Sequence, residues 1–92
     1  MENAANPTET IAESVQRVLA DVLTLKPAAA AALHAETPLF GSIPELDSMA
    51  VAGLLTELED RFGIIIDDDD VDSELFATFG SLVAFVEGKV AN

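Results

Sequence analysis

Five apolar residues near the start of the chain, Ile11, Val15, Val18, Val22 and Leu25, follow one another at spacings of four, three, four and three. That rhythm keeps one face of a 3.6-residue helix apolar and fits no strand, whose side chains alternate at every second residue. It predicts an amphipathic helix from about Thr8 to Leu25. Thr8 and Thr10 are candidate N-caps, and Thr10 with Glu13 has the spacing of a reciprocal capping box. Pro27 closes the segment, because its ring disfavours helical geometry at Lys26. A second stripe, Val51, Leu54, Leu55, Leu58 and Phe62, predicts a helix over Ser48 to Phe62 that stops at Gly63. A third, Phe79, Leu82, Val83, Val86 and Val90, predicts a last helix capped by Thr78.

The intervening segments are irregular. Pro27, Pro38, Gly41 and Pro44 punctuate the 22 residues from Lys26 to Asp47, a length that in a compact domain is either functional or locally folded. A turn or two of helix over Ala28 to Ala32 is expected there, with Leu33, Leu39, Phe40, Ile43 and Leu46 pinning the rest to the core. Ile64-Ile65-Ile66 has strand propensity but no second strand to pair with, so it reads as an extended buried connector. Asp67 to Asp70 is expected to be a solvated acidic turn. A short third helix then follows, capped by Asp70 or Asp72 and anchored by Val71, Leu75 and Phe76. The chain is thus predicted to be all-α: a small antiparallel four-helix bundle with a long first loop and a short third helix. Residues 1–7 are polar and expected to fray, leaving 8–92 as one domain.

Charge limits the partners. Four basic residues against seventeen acids give a net charge of −13 in 92 residues. Such a field repels phosphate backbones and anionic lipid, which argues against nucleic-acid and membrane-surface binding, and it favours basic protein surfaces. The longest uncharged run, Leu75 to Val86, is 12 residues, too short to span a bilayer. With no signal-like pattern in MENAANPTET and no cysteine, a cytoplasmic protein without disulfides, thiolate metal sites or a cysteine nucleophile is expected.

Enzyme chemistry finds little support. The single histidine, His34, lies in the Ala-rich part of the loop with no nucleophile elbow nearby, and reads as a partly exposed loop residue. The acidic run does not spell a calcium loop either. Started at Asp67 it places Asp72 where glycine is needed and Thr78 where a bidentate glutamate is needed; started at Asp68 it places Ser73 and Phe79 there. Only weak, nonspecific divalent binding and no dedicated metal site are expected.

The informative stretch is Glu45-Leu46-Asp47-Ser48-Met49-Ala50-Val51, a serine between a long loop and a helix N-terminus, beside an aspartate and among apolar residues. Alone it is satisfied by ordinary capping. Together with three further segments, however, the chain resembles the acyl carrier protein family, which includes the peptidyl carriers. Asp47-Ser48-Met49 stands where that family has an Asp-Ser-Leu-like tripeptide opening the second helix. Thr37-Pro38-Leu39, Leu58-Glu59-Asp60-Arg61-Phe62-Gly63-Ile64 and Phe79-Gly80-Ser81-Leu82-Val83-Ala84-Phe85-Val86 supply family-like context. The likeness covers roughly residues 9–90.

The resemblance implies a carrier and not an enzyme. A phosphopantetheinyl transferase would move 4′-phosphopantetheine from coenzyme A onto Ser48, and the arm would present acyl thioesters to loading and transferring enzymes with basic docking surfaces. Asp47 would help the transferase place magnesium and coenzyme A, Met49 would be a partner contact at the helix entrance, and Glu57 and Asp60 would meet basic partner residues. A monomer is expected. Ala50, Val51, Ala52 and Gly53 are neutral where carriers of fatty acid synthesis commonly have acids, which leans toward a polyketide, specialised lipid or other dedicated acyl pathway. The competing class is an unmodified acidic interaction module, such as an adaptor or a nucleic-acid mimic.

Overall fold

A computed structural model describes residues 10–40, 46–72 and 74–91, with the backbone alone described at Ser48. The expected fraying of 1–7, the Thr8 cap and the anchoring role of Ile43 lie outside the described residues. Four α-helices run in the order α1 (Ile11–Leu23), α2 (Pro27–Ala31), α3 (Ser48–Phe62) and α4 (Phe79–Ala91), with a 3-10 turn at Asp68–Asp70 between the last two. Apart from one isolated bridge between Pro38 and Thr78, no strand pairing occurs among the described residues.

Helix α1 begins as its sequence dictates. The Thr10 N–H donates to Glu13 Oε1 at 2.9 Å and the Glu13 N–H donates to Thr10 Oγ1 at 3.1 Å, a closed capping box. It ends two residues earlier than the stripe predicts, at Leu23, with Thr24 in the left-handed region at φ 53°. Lys26 must be extended before Pro27, so the chain has to leave the helix before the proline and use Thr24 to turn. The buried face is also broader than the stripe. Val15, Val18, Leu19 and Leu23 are buried, while Ile11, Val22 and Leu25 pack at its margin. Leu19 and Leu23 join because α1 touches all three other helices, and a helix packed on several sides buries more than one row.

Pro27 opens α2 at a first-turn position, where its missing N–H costs nothing. The Gln16 side-chain amide of α1 donates to the carbonyl of Ala30, docking this short helix. Helix α3 has the predicted bounds, with Leu54 and Leu58 fully buried. It ends at Gly63, whose φ of 64° suits a residue without a Cβ. Arg61 fastens it to α1, its Nη1 donating to Asp21 Oδ2 at 2.9 Å and its Nε to Glu57 Oε1 at 3.0 Å.

The connector Ile64–Ile66 is extended, but only Ile64 is buried; Ile65 is 74% exposed. The Ile66 N–H donates to Glu59 Oε2 at 2.8 Å, which fixes the strip with Ile65 pointing outward. The short helical piece that follows also departs from expectation. It is a 3-10 turn that starts before Asp70, and residues 74–77 form single turns. Asp72 does act as a cap, its Oδ1 accepting from the Glu74 and Leu75 N–H groups at 3.0 Å each. Helix continuation fails because its acceptors and donors are claimed elsewhere. The Leu75 carbonyl accepts from Ser81 Oγ, the Ala77 carbonyl from the Leu39 N–H, and the Phe79 N–H donates to the Thr37 carbonyl at 2.8 Å. Leu75 and Phe76 are buried as expected, whereas Val71 is exposed.

Helix α4 starts at a reciprocal cap, Ser81 N–H to Thr78 Oγ1 and Thr78 N–H to Ser81 Oγ. Phe79, Leu82, Val83 and Val86 are buried, and Val90 is half out in solvent near the end of the helix. The first loop is strapped across this N-terminus: besides the Thr37 bond, the Gly80 N–H donates to the Ala35 carbonyl at 2.9 Å. A Cβ at Gly80 would sit 2.7 Å from that same oxygen and 3.2 Å from the Ala35 Cα. Gly80→Ala is therefore expected to push loop and helix apart and to cost about 1–3 kcal/mol, measurable as a lower denaturation midpoint with an unchanged far-UV spectrum.

Candidate functional site

The site is built by the transition from loop to α3. Leu46 is buried and anchors the approach, and Asp47 is extended at φ −123° and ψ −175°. Its Oδ1 accepts from the Ala50 N–H at 2.9 Å and its carbonyl accepts from the Val51 N–H at 2.8 Å. Asp47 is thus the N-cap, and Ser48 is the first helical residue. The Asp47 side chain therefore supplies the cap of α3. The amide groups of a first turn point outward without intrahelical acceptors and carry the positive end of the helix dipole. No acid lies within the first turn of α3, and Asp47 is its N-cap.

Met49 is 86% exposed, Ala50 and Val51 are half-buried, and Ala52 and Gly53 are exposed. At about 100° per residue, Met49, Gly53, Thr56 and Asp60 fall on one stripe, and all four are exposed. Glu57 lies off that stripe by about 80° from Met49 and is bound to Arg61. Arg61 itself is held in its charged form, its pKa raised chiefly by the hydrogen bond it donates to Asp21 and then by the one it donates to Glu57, against the opposing effect of burial. The structure thus brings Asp47, Ser48 and Met49 together at the tip of α3. Asp60 sits roughly 18 Å along the same face, at 1.5 Å per residue, and Glu57 is turned aside into a structural pair. The i,i+4 spacing of Glu57 and Arg61 was the one sequence cue to that pairing.

His34 is exposed, with its Nδ1 accepting from the Glu36 N–H at 3.3 Å. No group of three or more histidines and carboxylates that could hold a metal occurs among the described residues. Asp70, from the acidic run, is instead paired with Lys89 at 2.9 Å, while its Oδ2 also accepts from the Asp67 N–H. The Lys89 ammonium holds the Asp70 carboxyl below the usual carboxylate range, and the Asp67 N–H adds to this. The same contact raises the Lys89 ammonium. A depressed acid contributes stability that is present at neutral pH and lost on acidification through its folded value. A raised base loses its contribution only as pH rises through its own folded value. Lys89→Met is therefore expected to lower the melting temperature slightly and uniformly across neutral pH, and the difference from the parent should vanish once Asp70 is protonated. Thermal melts at pH 7 and at about pH 2, below the ordinary carboxylate range, check the sign.

A family model described as phosphopantetheine attachment site matches residues 13–86, a span that includes Ser48 and reaches from α1 into α4. The chain belongs to this family. A curated acyl carrier protein from an Exiguobacterium strain is 43% identical over 44 residues, 48% of this chain and 53% of that protein, so the match spans about half the length of that relative. The solution structure of a holo acyl carrier protein from Nitrosomonas europaea superposes with a TM-score of 0.83 at 43% identity, covering 91% of this chain and all of that one. Membership of this family makes phosphopantetheine the prosthetic group. The tip of α3 suits the group: a capped helix start, the positive end of the helix dipole and no acid in the first turn favour a phosphodiester there. Among the described residues no helix is long and apolar enough to cross a membrane.

Proposed function

We propose that Ser48 carries the 4′-phosphopantetheine arm and that the protein shuttles acyl thioesters among enzymes of a dedicated acyl pathway, for polyketides, specialised lipids or a similar product. A phosphopantetheinyl transferase joins Ser48 Oγ to the pantetheine phosphate as the pyrophosphate bond of coenzyme A breaks; adenosine 3′,5′-bisphosphate leaves, the serine proton passes to a base of the transferase, and Asp47 helps place magnesium and coenzyme A. The observation that carries this reading is the cap at the tip of α3. The Asp47 side chain supplies it, inside the span that matches the family, so the helix start does not call on the neighbouring serine for a cap.

The exposed face of α3 supports a dedicated pathway over the housekeeping one. It is apolar at Met49 and uncharged through Thr56, with Asp60 its first acid. Partners would thus seat Met49 in an apolar recess and meet a basic residue only at the far end, with Glu57 contributing little because Arg61 already neutralises it. The net charge of −13 still draws basic docking surfaces at long range. A monomer working in the cytoplasm fits this reading.

Incubation with coenzyme A, magnesium and a broad-specificity transferase tests the assignment. The intact mass should rise by one phosphopantetheine unit, with the peptide containing Ser48 bearing it. A mass that stays unchanged overturns the assignment and leaves the acidic interaction module. A unit on another residue overturns the choice of Ser48.

A further inference from the structure

The side of the bundle formed by α1 and α4 carries a groove of about 410 Å³ walled by Ala12, Gln16, Leu33 and Val83 and rimmed by Glu13 and Glu87. Three observations set it apart from a chance crevice. Its walls are fixed: Gln16 is bonded to the Ala30 carbonyl, and the 33–35 segment is strapped to α4 through Ala35 and Gly80 at a distance only glycine permits. Its volume falls in the range of ligand clefts, about 300–1,000 Å³, and its lining is mostly apolar. Finally, the carboxylates of Glu13 and Glu87 line it together with His34, and neither Lys nor Arg does. No residue of α3 and none of the acidic run borders it, so an occupant leaves the Ser48 tip clear.

We propose that this groove is a second docking surface, which takes an apolar side chain of a partner protein flanked by lysine or arginine. The apolar anchor is desolvated between Leu33 and Val83 while its basic neighbours lie against Glu13 and Glu87. An acidic rim repels free carboxylates and phosphates, which disfavours a fatty acid or a nucleotide as the occupant. If the carrier reading above holds, such a partner stays bound while the arm visits others, because the two surfaces are separate. The groove itself is tested without that premise, on the unmodified chain.

The full chain, labelled with nitrogen-15, is titrated with a short amphipathic peptide of leucine and lysine, and with its counterpart in which every leucine is replaced by lysine. The expected result is saturable shifting of the amides of Ala12, Gln16, Leu33, Val83 and Ala84 with the leucine peptide, and binding at least about tenfold weaker without leucine. Ala84 is exposed on α4 and lines the groove. Ala84→Lys should weaken the leucine peptide by about tenfold or more and Glu87→Gln by a few-fold, whereas Asp68→Asn in the acidic run should leave affinity within about twofold. Equal binding of both peptides, shifts centred on residues 67–72 or on α3, or an Ala84→Lys variant with intact spectrum and full affinity would each overturn the proposal. Octanoate shifting the same groove amides would overturn it in favour of a lipid site.

Discussion

Ser48→Ala is expected to remain at its unmodified mass after exhaustive treatment with coenzyme A and transferase, and to melt at the same temperature as the parent. The first half follows from the missing nucleophilic oxygen, and the loss is complete because no second serine among the described residues opens a helix at the end of a long loop. The second half is the more discriminating. Were Ser48 a cap, alanine there would cost about 1 kcal/mol. Asp47 holds that role through the Ala50 N–H, and alanine is well tolerated at the first helical position. Asp47→Ala should therefore show the converse behaviour. It loses the cap, falling by about 1 kcal/mol, or roughly 4–8 °C in a domain of this size, and it still accepts the arm, at a reduced rate. A Ser48→Ala variant that melted lower than Asp47→Ala would reverse the assignment of cap and attachment point. Intact mass and thermal melts on the two variants decide between these outcomes.

The parts of the fold that could be read in advance are those decided by neighbours in sequence. Thr10 with Glu13, Asp47 before Ser48, and Thr78 with Ser81 are caps closed within three residues, so the starts of α1, α3 and α4 follow from local chemistry. The stripe of α3 gave its core residues, Leu54 and Leu58, for the same reason. The segment from 68 to 77 was not legible as it stands, because its hydrogen-bonding groups are claimed by Leu39, Thr37 and Ser81. No window of local sequence contains the first two. Glu57 illustrates the same limit at the site. Its charge looked available on a helix face, but Arg61 takes it, in a network completed by Asp21 from 40 residues away. The start of α3 at Ser48, with Asp47 as its cap, was legible because it is decided by adjacent residues. The groove between α1 and α4 was not, since three separated segments build it, and Gly80 alone hinted at a close approach.

Phe76 anchors that irregular segment, and its truncation is expected to produce the largest loss of stability in the molecule. The segment has no α-helical ladder to hold it; besides the Asp72 cap, the Lys89 pair and the bonds from Ser81 and Leu39 to its carbonyls, it is fixed by burying Leu75 and Phe76. Phe76 is only 2% exposed and is the largest fully buried side chain. It also receives the half-exposed ring of Phe40 edge-on, with centroids 5.7 Å apart and planes at 65°. Phe76→Ala removes the transfer free energy of the ring and leaves a void that the bundle can only partly collapse into, together about 3–5 kcal/mol. Against a total stability of about 5–15 kcal/mol for a domain, with small domains toward the low end, the variant should be largely unfolded well below the melting temperature of the parent. Phe40→Ala should cost far less, about 1 kcal/mol, because it forfeits the edge-on contact and little burial. Phe76→Leu, which fills more of the space, should fall between the two. Urea denaturation of the three variants orders them. If Phe76→Ala stayed within about 1 kcal/mol of the parent, the loop and the caps, not the ring, would have to be holding the 68–77 segment against α4.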